Sequence, residues 1–139
     1  MVSLPNFSEN SIVIVDDTES IATCVKAFLQ AEGYAEIETF GCPQKAFDEI
    51  RQRGCPAIII TDYEMPAMTG DAFLDSVEKL YPKVKSVIIT GHSAVPPEVA
   101  GRFSVIRKDE PDFFSRLIRH VREELASGDS YLERPVPSL

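Results

Sequence analysis

The residue types best suited to chemistry stand directly after apolar stretches of the chain. Four of these stretches end in charged or hydroxyl side chains, which are Asp16 and Asp17, Asp62, Thr90 and Lys108. Three carboxylates that converge without a counter-charge repel one another and raise one another's pKa. A hard divalent cation relieves that repulsion, and Mg²⁺ suits because it takes few protein ligands and keeps waters that a phosphate can displace. These residues predict a magnesium site that handles phosphate groups.

Asp62 is the residue whose position most needs a reason. It follows the strand-like run AIIIT at residues 57–61, and an ionised carboxylate at the end of such a run is costly unless its charge is compensated. Mg²⁺ can compensate it, and Lys108 can pair with the carboxylate or with a phosphoryl oxygen. Thr90 adds a hydroxyl donor for another phosphoryl oxygen. Together these groups predict a phosphoryl-transfer site whose product is an aspartyl phosphate on Asp62.

Each of these residues also has an ordinary structural explanation. An Asp after a strand often caps the next helix, and Asp17 or Thr18 can serve that way after the first strand. Thr90 alone carries little functional information. The functional interpretation depends on Asp62 and Lys108 occurring together at strand ends.

The elements that position these side chains follow from the hydrophobic pattern. Apolar, β-branched runs alternate five times with segments whose apolar residues recur at helical spacing. This alternation is typical of a parallel sheet covered on both faces, and right-handed crossovers make the sheet doubly wound. The sequence therefore predicts an α/β fold with a doubly wound five-stranded parallel sheet. Ligands of such sheets bind outside the carboxyl ends of the strands, where the side chains above would gather.

Length and punctuation indicate one folded domain. The chain has 139 residues, which suits a single domain. We expect an N-terminal extension at residues 1–10, the domain at residues 11–126 and a flexible tail at residues 127–139. The tail is too short to form an output domain.

Composition excludes several classes of function. The net charge of -8 argues against nucleic-acid binding, which requires a basic face. No apolar run approaches the roughly 20 residues of a membrane span, so no membrane association is expected. The three cysteines are odd in number and show no C-x-x-C spacing. This favours free thiols in a reducing compartment, and we expect a cytoplasmic protein.

Four segments together resemble the receiver domain of bacterial response regulators, the phosphorylated proteins of two-component signalling. They are "IVIVDDTES", "IIITDYEMPAMTG" with its D-x-x-M-P-x-M-x-G loop, "VIITGH" and "VIRK". The resemblance covers about residues 11–126 and implies a flavodoxin-like fold with strand order 2-1-3-4-5. It implies that Asp62 receives a phosphoryl group from the phosphohistidine of a histidine kinase or phosphotransfer protein. The domain would then dock an unidentified protein or relay the phosphate, and would not be an enzyme in its own right.

The resemblance also implies a role for each site residue. Mg²⁺ would be bound by the side chains of Asp16, Asp17 and Asp62 and by the backbone carbonyl of Glu64. Thr90 would be the switch hydroxyl that moves toward the phosphoryl group, and Lys108 would be the charge partner of that group.

Residues flanking the acceptor and the threonine have further implied roles. Glu64 and His92 lie at positions that tune how fast water removes the phosphoryl group, although both have an equal alternative as exposed polar residues. Met65 matches the loop motif as a packing residue. Gly70 shapes the turn into the third helix.

The chain departs from the family pattern around the last strand. Asp109 stands where the family usually has a proline after the lysine, often with a cis peptide. A cis bond before a non-proline residue costs about 2.5–4 kcal/mol, so we do not expect one here. Val105 stands where the family often has an aromatic residue, which predicts altered coupling. Residues 96–101 allow one or two helical turns at most, so the fourth helix is predicted to be short or remodelled.

Other functions remain open on the sequence alone. One is a pseudo-receiver that binds partners without being phosphorylated. Such a protein is expected to have lost the phosphorylation motifs, whereas all five key residues are present in this sequence. Another is an aspartate-nucleophile phosphatase of the haloacid-dehalogenase type, which would need D-x-D-x-T and a cap insertion. A weak homodimer through the last helix and the remodelled region of the fourth helix, with contributions from Arg116, Arg119 and Arg122, is a further hypothesis.

Overall fold

A computed structural model describes residues 4–91 and 95–126 of the chain. Within these residues, strands and helices alternate in the order β1 Ile12–Val15, α1 Glu19–Ala31, β2 Ile37–Phe40, α2 Pro43–Arg53, β3 Ile58–Asp62, α3 Gly70–Leu80, β4 Ser86–Thr90, α4 Pro97–Ala100, β5 Val105–Arg107 and α5 Phe113–Ala126. The strands pair in parallel and form one sheet with the order β2-β1-β3-β4-β5. The predicted fold class and strand order are confirmed.

The central strands are apolar along their whole length because they are covered on both faces. Every residue of β1 and of β3 is buried, as expected for interior strands of a parallel sheet. β2 lies at one edge of the sheet and mixes buried, half-buried and exposed positions. The continuous runs that predicted a doubly wound sheet are therefore those at its centre.

Helices pack on both faces of the sheet. Successive side chains of a strand point to opposite faces, so Ile12 and Ile14 enter the core covered by α1 and α5. Val13 and Val15 enter the core covered by α2, α3 and α4. In residues 4–91 and 95–126, no helix has both the length and the apolar character needed to cross a membrane.

Helix ends follow the sequence punctuation. α1 ends before Gly33, whose φ of 102° lies in the left-handed region that glycine tolerates best. α2 begins at Pro43, where a missing backbone N–H costs nothing. α4 is a single turn from Pro97 to Ala100, which confirms the prediction of a short fourth helix.

Residues before β1 pack against the domain through one arginine. The side chain of Phe7 is buried in the core under α2 and α3, and its backbone N–H donates to the carbonyl of Arg53 at 2.9 Å. Arg53 Nε donates to the carbonyl of Pro5 at 2.8 Å, and its guanidinium lies 4.1 Å from the centre of the Phe7 ring. The guanidinium is also paired with Glu38, so its buried charge is compensated.

Candidate functional site

The carboxyl ends of four strands bring the predicted site residues to one edge of the sheet. Asp62 and Thr90 are the last residues of β3 and β4. Asp16 and Lys108 directly follow β1 and β5. Parallel strands share this edge, which is where open α/β sheets bind ligands.

Lys108 connects two of the carboxylates. Its Nζ lies 3.0 Å from Oδ2 of Asp16 and 3.0 Å from Oδ1 of Asp62. The exposed fractions of the side chains are 15% for Lys108, 0% for Asp16 and 8% for Asp62. Because little water screens these charges, their interaction is stronger than that of an exposed ion pair. Loss of the ammonium would leave two buried carboxylates without their counter-charge.

Asp17 completes an acidic cluster. One oxygen from each of Asp16, Asp17 and Asp62 lies within 4.8 Å of the others. Three carboxylates against the single ammonium of Lys108 leave an excess of two negative charges, which one divalent cation would neutralise. Carboxylate oxygens are the ligands that Mg²⁺ prefers. The donor set therefore fits the predicted magnesium site, and exposed Asp17 leaves it open toward solvent.

The environment perturbs the ionisation of the central groups. Burial raises the pKa of Asp62 to about 6, and the negative charges of Asp16 and Asp17 add to the rise, whereas Lys108 opposes it. Burial also lowers the pKa of Lys108, but its hydrogen bonds and charge interactions with Asp16 and Asp62 outweigh burial and leave that pKa raised. Lys108 is therefore charged at neutral pH, and Asp62 ionises near pH 6 when no cation is bound.

Asp16 also shapes the start of α1. Its Oδ1 accepts a hydrogen bond from the backbone N–H of Thr18 at 2.8 Å, while Oδ2 accepts from Lys108. This contact two residues along the chain turns the backbone from β1 into the helix. Thr18 occupies the N-cap position, but its side chain makes no capping hydrogen bond. The turn is thus held by an acid of the site.

The loop after Asp62 folds back onto the acceptor. The backbone N–H of Gly70 donates to the carbonyl of Tyr63 at 2.8 Å. A Cβ added at Gly70 would lie 2.4 Å from the carbonyl oxygen of Asp62, so close backbone approach is what requires glycine here. Met65 is buried in the core under α2 and α3, in agreement with its predicted packing role.

The remaining predicted residues differ in their surroundings. Thr90 is 2% exposed, and its carbonyl accepts a hydrogen bond from the backbone N–H of Lys108 at 2.7 Å. This bond ties the end of β4 to the start of the loop that carries the lysine. Glu64 is exposed. His92 lies outside the described residues.

The departures near Lys108 have a structural counterpart that the sequence pattern did not predict. No cis peptide occurs in the described residues, so the bond before Asp109 is trans. Asp109 forms a two-point ion pair with Arg107, with Nε–Oδ1 and Nη2–Oδ2 distances of 3.0 and 2.7 Å. The available signal was a pair of opposite charges two residues apart at the end of the last predicted strand. Val105 is half-buried and packs against the core under α2 and α3.

Comparison with known proteins identifies the family. The family model described as the response regulator receiver domain matches residues 12–109 of this sequence. This chain belongs to the response regulator receiver family. The match includes both acids after β1, the acceptor loop, the threonine and the lysine, so the family and the site geometry agree. The chain is therefore a receiver domain of two-component signalling.

Individual relatives show how far the similarity extends. The regulatory protein LuxO of Vibrio vulnificus strain YJ016 is 30% identical over 86 residues, which is 62% of this chain and 18% of LuxO. The chain thus spans less than a fifth of that relative's length. A CheY-like receiver domain from Methanospirillum hungatei JF-1 superposes with a TM-score of 0.71 at 28% identity, covering 88% of this chain and 94% of that one. The beryllofluoride-activated NtrC4 receiver domain dimer gives a TM-score of 0.70 at 28% identity, covering 84% and 99%.

Proposed function

We propose that this receiver domain is phosphorylated on Asp62 by transfer from the phosphohistidine of a histidine kinase or phosphotransfer protein. The observation that carries the proposal is the position of Lys108 Nζ, 3.0 Å from both Asp62 and Asp16 at the carboxyl edge of the sheet. An ammonium at that place can pair with an oxygen of a phosphoryl group attached to Asp62. This geometry supports Asp62 as the acceptor and Lys108 as its charge partner.

The acidic cluster supports a Mg²⁺ requirement. Asp16, Asp17 and Asp62 would hold the ion through their carboxylates, and Glu64 would add its backbone carbonyl. When bound, Mg²⁺ neutralises charge on the carboxylates and on the incoming phosphoryl group. Asp17 and Glu64 are exposed, so the site is accessible to a phosphodonor from that side.

The transfer step uses the ionised carboxylate as nucleophile. An oxygen of Asp62 attacks phosphorus while the bond from phosphorus to the imidazole nitrogen of phosphohistidine breaks, and its electron pair stays on that nitrogen. Lys108 opposes the rise in the pKa of Asp62 that burial causes, and so favours the reactive form. In this proposal the domain promotes only its own phosphorylation and dephosphorylation.

Thr90 supports a switch that follows phosphorylation. It is buried at the end of β4, directly before the connection to α4. Movement of its hydroxyl toward a phosphoryl oxygen would displace that connection and change the neighbouring surface. A downstream protein that binds the changed surface, or a phosphotransfer protein that removes the phosphate, would read the signal.

A weak homodimer is a compatible output. The NtrC4 receiver that resembles this chain is a dimer in its beryllofluoride-activated form. Arg116, Arg119 and Arg122 lie on α5, the helix proposed for such contact. Arg116 is already paired with Glu110 at 3.2 Å, so a dimer through α5 would have to compete with a pair inside the monomer.

Labelling of the purified chain tests the proposal. Acetyl phosphate with Mg²⁺ should phosphorylate the chain, which intact mass measures. Beryllofluoride with Mg²⁺ should bind the chain, which fluorine NMR measures. Asp62→Asn should abolish both, whereas Asp48→Asn, at a half-buried position on α2, should leave both intact. A chain that takes up neither reagent would instead be a pseudo-receiver.

A further inference from the structure

The two neighbours of Lys108 in the chain are joined to each other by an ion pair. Arg107 Nε donates to Asp109 Oδ1 at 3.0 Å, and Nη2 donates to Oδ2 at 2.7 Å. Two parallel hydrogen bonds between a guanidinium and a carboxylate fix the relative orientation of both groups, which a single contact does not. The pair therefore constrains the backbone that connects these two residues.

Lys108 is the residue that this constrained segment carries into the site. Arg107 is the last residue of β5, and Lys108 and Asp109 lie in the turn that follows it. The side chains of Arg107 and Asp109 meet each other, whereas Lys108 Nζ lies against Asp16 and Asp62. Exposure agrees with this arrangement, because the Lys108 side chain is 15% exposed while those of Arg107 and Asp109 are 44% and 34% exposed. The backbone N–H of Lys108 is also held by the Thr90 carbonyl at 2.7 Å.

The lysine needs such support because its own side chain is flexible. Its four-carbon stem has many rotamers, yet its Nζ reaches two acceptors at 3.0 Å each. At residue 109 no proline ring restricts the backbone, and the peptide bond there is trans. The Thr90 hydrogen bond and the Arg107–Asp109 pair are thus two contacts that restrain the backbone beside Lys108.

We propose that the Arg107–Asp109 pair positions Lys108 and thereby sets the rate at which Asp62 is phosphorylated. The inference rests on the proposed function of Asp62 and adds two positioning residues to it. Neither residue touches the phosphoryl group, since both act through the lysine between them. The competing interpretation is that the pair has no effect on the site, because many exposed ion pairs make no measurable contribution.

Phosphorylation by acetyl phosphate with Mg²⁺ tests this inference on the full chain, because a small phosphodonor removes any effect of kinase docking. The variants are Arg107→Gln, Asp109→Asn, their combination, and the charge-exchanged R107D/D109R. The control is Arg102→Gln, which breaks ion pairs with Asp75 at 2.7 Å and with Glu78 at 2.8 Å, both of exposure similar to that of the Arg107–Asp109 pair. Each single variant should slow phosphorylation roughly two- to fivefold, the range accessible to an exposed pair.

Coupling between the two residues provides the specific readout. The combined variant should be no slower than either single variant, because one interaction is lost only once. The exchanged pair should recover most of the rate, and Arg102→Gln should leave it unchanged. Raising the ionic strength should slow the wild-type protein more than the combined variant, since salt screens an exposed pair.

The possible failures are distinguishable. If the wild-type chain is phosphorylated and the single variants match its rate, the positioning inference is wrong and the proposed function stands. Equal slowing by Arg102→Gln, or additive losses in the combined variant, would also overturn it. If the wild-type chain is not phosphorylated at all, the proposed function fails and the inference fails with it.

Discussion

Replacing Asp62 with asparagine should stabilise the metal-free protein at neutral and alkaline pH. Burial is the largest cause of the raised pKa of Asp62, and repulsion from Asp16 and Asp17 adds to it. The neutral amide removes the cost of burying this charge, while Lys108 keeps its contact with Asp16. The ionised Asp62 carboxylate is thus expected to destabilise the metal-free folded protein, although this ionised form is the one that reacts.

The magnitude follows from the shift in pKa. A rise from 3.8 to about 6 corresponds to about 3 kcal/mol, since each pKa unit is worth about 1.4 kcal/mol. The folded protein binds this proton more tightly than the unfolded chain does. The contribution of the Asp62 carboxyl to wild-type stability therefore falls as the pH rises from about 4 to about 6, and its cost is fully present above that window. Incomplete hydrogen bonding of the asparagine amide would offset part of this gain. The free energy of unfolding of Asp62→Asn should therefore exceed that of wild type by about 1–3 kcal/mol at pH 8.

Urea unfolding at a series of pH values, with a chelator present, measures the effect. The difference in the free energy of unfolding between Asp62→Asn and wild type should be largest above pH 6 and should shrink toward zero near pH 4. Asp48→Asn, on α2, controls for the loss of a carboxylate elsewhere, because the Asp48 side chain is 43% exposed and its ion pair with Arg51 is long at 3.5 Å. Mg²⁺ should stabilise the wild-type protein by binding its folded state and so narrow the difference.

Two results would refute this reasoning. One is an Asp62→Asn variant that is no more stable than wild type at pH 8 without metal. The other is a stability difference that does not change with pH, because a constant difference cannot arise from the ionisation of the replaced carboxylate.

Three further predictions concern the lysine, the acceptor loop and the phosphoryl lifetime. Lys108→Met should slow phosphorylation by acetyl phosphate roughly 100-fold or more, because a preorganised charge next to the phosphoryl group is lost. A rate within a few-fold of wild type would contradict the role of Lys108 as charge partner. Gly70→Ala places a methyl group 2.4 Å from the backbone oxygen of Asp62. It should lower the free energy of unfolding, measured by urea denaturation, by roughly 1–3 kcal/mol. Gly41→Ala, which has open space around the added Cβ, is the control. Glu64→Gln and His92→Ala should change the half-life of the aspartyl phosphate, and unchanged decay in both would exclude rate tuning at these positions.

Much of the fold could be predicted because each central strand is buried on both faces. A run such as residues 58–61, apolar but for a buried threonine, has one stable location in a small α/β domain, between two layers of helices. The one-turn α4 could be predicted as well, since too few residues separate β4 from β5. The packing of Phe7 under Arg53 was not predicted, because residues 4–10 have no periodicity and their contacts lie about 50 residues away in the chain.

The sequence by itself determined which residues end the strands, and therefore which side chains reach the carboxyl edge of a parallel sheet. Only the tertiary structure decided how they meet: Lys108 is 92 residues from Asp16 in sequence, and its contact with two carboxylates depends on strand order, register and rotamer. The same holds for the backbone approach at Gly70 and for the Arg107–Asp109 pair. Hydrophobic periodicity is a property of each segment alone, whereas distances of 3 Å between segments are set by the packing of the whole sheet.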